Sequence, residues 1–447
     1  MPPTTSYRPA TLELRIHTSR DDWSEGFTGL VSMLAQQRDA FRHVEHVTFD
    51  GTPWNPTEDY AHPAPPNYNA NRSVLSWCAI VEALKILSSF ESVSLYWLDV
   101  IDCDCTDDGH VCDSATTFPA VHSLGACGLG LRSENGIDLQ AFSTRFPDLG
   151  VLLVECYHPY DPEGMLYIDE VRPASPYMAR PLEVLCVELL GGAGHFGWPE
   201  EHAALWVAQK LPLWRRTKTL VLEDLREAAF DSASLIIRED KDTLREVRLS
   251  FSEDVHSRSS IAMLSGKTSD VSTPTDYDTT IWRDLPLDEC TQLSWLSIKL
   301  PLDVGPSSLE PDTIGERPMV FERDHGDLPF EGTFPCHTLE DIMKATPLGI
   351  RRIRIKLAFD DELVANDTRL TMALFRVDWR ALARWIVESR TGARVVVIAP
   401  RKTFAFFRCR MSELAVHGRF EIKSPRNHSF DPIHDSVLSA VQPLPGA

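Results

Sequence analysis

The sequence predicts an α/β fold of stacked repeats, a curved parallel sheet with helices on its outer side, and three observations carry that expectation. First, an apolar signature, Φ-x-x-Φ-x-Φ, recurs, most clearly at Val44/Val47/Phe49, Leu149/Leu152/Val154, Leu182/Leu185/Val187, Leu244/Val247/Leu249, Leu293/Leu296/Ile298 and Ile350/Ile353/Ile355. Second, weaker copies begin near Pro9, Phe90, Val121, Thr217 and Ala393, so successive starts lie about 27 to 57 residues apart, the interval of repeat architectures. Third, helix-period patterns fall between the signatures, and strand, helix and strand at one interval imply parallel pairing.

Each signature reads as a short strand whose fourth and sixth residues face a core, because successive strand side chains point to opposite faces. The helical patterns follow in order. Phe27 to Phe41 comes first, then Val74 to Phe90, where Val74, Trp77, Cys78, Val81, Leu84 and Phe90 recur at helix spacing. Pro199 to Lys210 has a proline suited to the first turn, and Leu339 to Thr346 and Val377 to Arg390 complete the set. Residues 51–71, 255–280 and 303–332 break the rhythm with Pro, Ser, Thr and charge, and read as loop insertions within a single unit spanning 9–423. Residues 424–447 read as a flexible tail.

With 447 residues, 43% of them apolar, the chain can bury a large core. A net charge of −21 argues against general affinity for nucleic acid or an anionic membrane, which both need surplus Lys and Arg. The charge is uneven, since Ile350 to Asn427 holds 17 Lys and Arg against 8 Asp and Glu. That basic end reads either as a docking face or as a solvated cap. No positive segment leads into an apolar one at the N-terminus, and no stretch of about 18 apolar residues occurs, so a soluble protein of cytoplasm or nucleus is expected. Of the ten cysteines several, Cys78, Cys156 and Cys186, sit inside apolar patterns and read as small buried hydrophobes with free thiols, not as a disulfide framework.

The phrases FPAVHSL (118–124), FPDLGVLLV (146–154), PLEVLCVEL (181–189), TLREVRLSF (243–251) and QLSWLSIKL (292–300) resemble the irregular leucine-rich repeats of fungal F-box-type proteins. The resemblance covers roughly residues 9 to 400 and implies an α/β solenoid that selects a protein substrate for a ubiquitin ligase. The F-box itself, a Leu-Pro-x-Glu helical segment, is not found, so recruitment of a ligase adaptor is not supported. The Asn or Cys expected eight places after each repeat start is replaced by Thr52, Leu98, Leu129, Tyr157, Leu190, Leu225, Ser252 and Pro301, which predicts uneven repeats.

If the fourth and sixth positions face the core, the third, fifth and seventh face the open side of the sheet. Those places hold Val151, Leu153 and Glu155, then Val184, Cys186 and Glu188, then Thr219, Val221 and Glu223, an apolar patch beside a row of three carboxylates. The last strands offer Trp295, Lys299, Arg352, Arg354 and Lys356 instead. An apolar surface rimmed by charge suits a protein partner, unless the insertions fold over it.

Two motifs tempt a chemical reading. Cys103, Cys105, His110 and Cys112 could supply four zinc ligands, but two pairs within ten residues are cramped for a tetrahedral site, so no metal is assigned. GGAGHFGW (191–198) lacks the spacing of a phosphate-binding loop and reads as a turn. The sequence thus points to a non-enzymatic recognition scaffold without a cofactor. The alternative is an enzyme using the acidic row or the Cys/His loop.

Overall fold

The computed structural model describes residues 12–17, 43–51, 73–101, 116–132, 145–155, 158–159, 182–188, 216–225, 230–251, 285–301, 345–359 and 364–425, apart from single positions within them, and parts of 32–41 and 339–343. They fall into two compact units, Met1–Thr217 and Lys218–Ala447. Both are α/β with parallel sheets. The 103–112 and 191–198 motifs, the helix expected at 199–210 and the three insertions lie outside the described residues.

In the first unit, β1 (Leu12–His17), β2 (Val44–Asp50), β4 (Ser92–Tyr96), β6 (Ser123–Cys127), β8 (Val151–Glu155) and β10 (Leu182–Glu188) lie side by side in that order, all parallel. The fourth and sixth residues of each signature are buried, as expected: Val47 and Phe49, Val93 and Leu95, Leu124 and Ala126, Leu152 and Val154, Leu185 and Val187. The first copy is displaced, because Leu14 and Ile16, rather than Leu12 and Leu14, stand in register with Val47 and Phe49. A bulge between Leu12 and Glu13 absorbs the difference.

A second, four-stranded parallel sheet accompanies this one, made of β3 (Ser73–Ser76), β5 (Leu98–Ile101), β7 (Gly130–Arg132) and β9 (His158–Pro159). The expectation of a single sheet is corrected here. β5, β7 and β9 follow β4, β6 and β8 after an interruption of only one or two residues, while β3 stands directly before a helix, and each of these strands is too short for alternation to be read. β3 also takes the start of the expected helix 74–90, which runs only over α1 (Trp77–Ile86). Ser76 stops the strand and starts the helix, because its hydroxyl accepts the Ala79 N–H at 3.2 Å as an N-cap. Cys78, on α1, is disulfide-bonded, which corrects its reading as a free thiol; Cys186 is buried and forms no disulfide.

The repeat starts share a local device. A tight turn sends the N–H of the first signature residue to the carbonyl three places before it: Val44 to Phe41, Val121 to Phe118, Leu149 to Phe146, Leu293 to Cys290, Ile350 to Pro347 and Ala393 to Arg390. Three rings pack in succession at neighbouring starts: Phe90, the first residue of its own signature, and Phe118 and Phe146, which accept the turn bonds of the next two. Phe90, Phe118 and Phe146 lie 5.7 and 5.9 Å apart, centroid to centroid, and are buried. This ring stack joins consecutive repeats through apolar contact. Leu98 and Leu225, each eight places after its signature start, are buried apolar residues.

In the second unit, β11 (Thr217–Leu225), β12 (Glu246–Phe251), β13 (Trp295–Pro301), β14 (Arg352–Ala358), β15 (Arg394–Ile398) and β16 (Phe420–Lys423) are again parallel and in sequence order. Helices α2 (Phe230–Asp240), α3 (Asp367–Phe375), α4 (Trp379–Ser389), α5 (Phe404–Arg410) and α6 (Ser412–Val416) stand between strands. α4 matches the expected 377–390 helix, and Asp378 caps it by accepting the N–H groups of Arg380 and Ala381. The last signature is one residue out of step: Val395 and Val397, not Val396 and Ile398, stand in register with Ile353 and Ile355. In a run of Val-Val-Val-Ile both faces are apolar, so the pattern itself does not choose a register.

Much of the basic end is spent on structure. Arg419 donates to the carbonyls of Ile386, Arg390, Thr391 and Ala393 around the end of α4, and burial lowers its pKa. Arg390 donates to Thr346 and Met343 carbonyls and stacks on Trp385. Arg394 pairs with Glu421, and Lys402 with Asp367.

Candidate functional site

The two units treat the expected open face differently. In the first, Val151, Leu153, Val184 and Cys186 are all buried. They do not form an exposed apolar patch, and in this stretch both faces of the strands are covered. The backbone register does set Glu155 opposite Glu188, with their side chains outside the described residues. Val221 is likewise buried, while Glu223 is half-buried on β11, at a register irregularity between Leu222 and Leu225.

On β12 to β14 the alternation holds. Val247, Leu249, Leu296, Ile298, Ile353 and Ile355 are buried on one face, while the intervening residues are half-buried on the other. Register assembles this second face into rows. Thr219, Glu246, Trp295, Arg352 and Arg394 form the first, and Val221, Arg248, Ser297, Arg354 and Val396 the second. Ser250, Lys299, Lys356 and Ile398 form the third.

Trp295 is the hub of this face. The guanidinium carbons of Arg352, Arg354 and Arg248 lie 4.5, 4.8 and 5.7 Å from its ring centroid. A guanidinium is attracted to the negative face of an indole, so the ring gathers cations that would otherwise repel one another. Arg248 is compensated: its Nε donates to Glu246 Oε1 at 2.6 Å, with both side chains nearly buried. Among the described residues, Arg352 and Arg354 make no ion pair or hydrogen bond. Burial, and then the positive charge of Arg352 and Arg248, pull the Arg354 pKa below its ordinary value. Trp295 Nε1 and Arg354 Nε are both sealed from solvent and without a hydrogen-bond partner. Among the described residues, two cations without an ion pair and two donors without a partner beside one ring make an electropositive site in a chain of net charge −21.

Trp295, Arg352 and Arg354 were legible in the sequence as open-face residues, and the structure brings them into contact. Arg248 and Glu246 were not singled out, although the TLREVRLSF phrase that holds them places both on the same alternating face. Guanidinium and indole groups bind anions but do not titrate near neutral pH, so the arrangement favours binding over proton transfer. Among the described residues no group of three or more His, Cys, Asp or Glu side chains could hold a metal ion, and no helix is long and apolar enough to cross a membrane. No protein-family model matches the chain and no curated protein matches it.

Proposed function

We propose that the chain is an irregular leucine-rich-repeat solenoid acting as a non-enzymatic recognition scaffold, and that it binds a protein partner through the cationic face of β12 to β14. The observation that carries this reading is the pair Arg352 and Arg354, held on Trp295 without an ion pair among the described residues, in an acidic chain. Leaving such groups unmatched costs stability, and that cost is offset when a partner supplies the anion. The strand order, the repeated turn and the Phe90/Phe118/Phe146 stack support the repeat architecture. A role as a substrate receptor would follow from the resemblance to F-box-type repeats, with the adaptor-binding half left out of the proposal.

Quantitative affinity capture from the native cell, comparing the wild type with the Arg352→Gln/Arg354→Gln variant at matched thermal stability, tests the reading. Partners that bind the wild type, fall away in the variant and weaken with added salt are the expected result. An identical partner set for both proteins across the salt range contradicts it.

A further inference from the structure

The sheet of the second unit ends at β16, and no strand among the described residues pairs with its outer side. The carbonyls of Arg419 and Lys423 accept the N–H groups of Val395 and Ala399, so the odd-numbered residues of β16 bond toward β15. Phe420, Ile422 and Ser424 therefore turn their N–H and C=O groups to the free side. An unpaired row of this kind is a template for another strand, and neither a bulge nor a proline interrupts Phe420–Lys423 to blunt it. Phe420 and Ile422 are only half-buried, and Val416, on α6 just before the strand, is 84% exposed.

We infer that β16 pairs with β16 of a second copy of this chain, antiparallel about a two-fold axis through Ile422. A second copy is the fitting occupant because the strand is complementary to itself in that register. Ile422 faces Ile422, Phe420 faces Ser424, and Glu421 faces Lys423 of the other copy, with Cβ atoms about 5 Å apart. The neighbouring registers fail. Centring on Glu421 or on Lys423 sets like charges opposite each other, and centring on Phe420 draws in Gly418, whose φ of 67° takes it out of the strand conformation. Glu421 lies 2.9 Å from Arg394 and 3.1 Å from Lys423, so two cations share one carboxylate and Lys423 has charge to offer a second. Because the axis stands perpendicular to the sheet, the helices of both copies stay on one side, and α6, which lies against β16, approaches its counterpart together with Val416. The contact uses the same surface on both copies and closes as a dimer. It leaves the face of β12 to β14 uncovered, so it is independent of the proposed function.

Sedimentation velocity with the full chain tests the inference on the wild type, on Glu421→Lys, on Lys423→Glu and on an equimolar mixture of the two variants. The wild type is expected to show a concentration-dependent equilibrium between monomer and dimer. Each variant alone sets like charges opposite each other and should weaken dimerisation roughly tenfold or more, about 1.4 kcal/mol. The mixture should restore it, because the mixed pair sets unlike charges together at both places. Ile422→Pro removes an N–H from the free side and spares the ladder to β15, so it should abolish the dimer while thermal melts still report a folded chain. A monomer at every concentration overturns the inference. Dimers that both charge variants form as tightly as the wild type place the contact elsewhere and overturn it as well. A mixture no tighter than its components does the same, leaving the edge to a different partner or to the chain's own C-terminal residues.

Discussion

Arg352 and Trp295 are register partners on adjacent parallel strands, and the guanidinium carbon of the first lies 4.5 Å from the ring centroid of the second. Directly opposed residues on a sheet face are its strongest lateral contacts, so this pair holds the site in place. Replacing Trp295 by Phe keeps an aromatic face with a weaker quadrupole. It should cost about 1 kcal/mol or less, whereas Trp295→Ala should cost about 2 kcal/mol, because the half-buried ring also packs. Urea unfolding of the two variants measures both values.

Arg354 should behave in the opposite sense. It is partly desolvated, without an ion pair among the described residues and close to two other cations, so Arg354→Met is expected to leave stability unchanged or raise it by up to about 1 kcal/mol, after allowance for its exposed portion. The same change should weaken partner capture. Clear destabilisation by Arg354→Met in thermal and urea melts would assign the residue a structural role instead.

Arg419 supports the fold, not the site. Its guanidinium meets four carbonyls around the end of α4, and removing it strands partly buried acceptors. Arg419→Ala should therefore cost about 2 to 3 kcal/mol in urea unfolding, and Arg419→Lys should recover only part of it, because an ammonium lacks the planar fork.

Cys290 provides a pH test. Its thiol is buried, donates toward the Pro286 carbonyl, and is pushed up to about 12 by burial and then by Glu289 and Asp288. An acid whose folded pKa lies above its unfolded one keeps its full contribution below the unfolded value. It then loses stability as pH rises, because the unfolded thiol gives up its proton first. Between roughly pH 9 and 12 the slope approaches about 1.4 kcal/mol per pH unit for this group. Cys290→Ala should flatten that alkaline limb relative to the wild type in melts at stepped pH, and an unchanged slope would refute the assignment.

How much of this was legible from the sequence varied with the strand. Where alternation is strict, as in Arg352 to Ala358, the sequence tells which face is core and which is not, and Trp295, Arg352 and Arg354 read from it as open-face residues. Where the strand is a continuous apolar run, as in Val151 to Val154, the same period-two reading assigned an open face to residues that are buried. Runs of that kind mark strands covered on both sides. The register of Val395 to Val397 was lost for the same reason. The second sheet was missed because its strands are two to four residues long, and the Trp295 cation cluster because it depends on which strands are neighbours. The phrases FPAVHSL and FPDLGVLLV show a Phe three places before the signature, but the stacking of those rings needs three-dimensional proximity.

The central claim, that the cationic face of β12 to β14 receives the partner, is tested most directly by site-specific photocrosslinking at Ser297. This half-buried residue shares a row with Arg248 and Arg354. A photoreactive residue at Ser297 is compared with one at the exposed Ser412 on α6, both in the full chain incubated with native extract. The account predicts crosslinks from Ser297 to acidic peptides of a discrete set of proteins, lost when Arg352 and Arg354 are also replaced by Gln, and none of these from Ser412. Crosslinks of equal yield and identity from both positions, or from Ser297 irrespective of the two arginines, would contradict it.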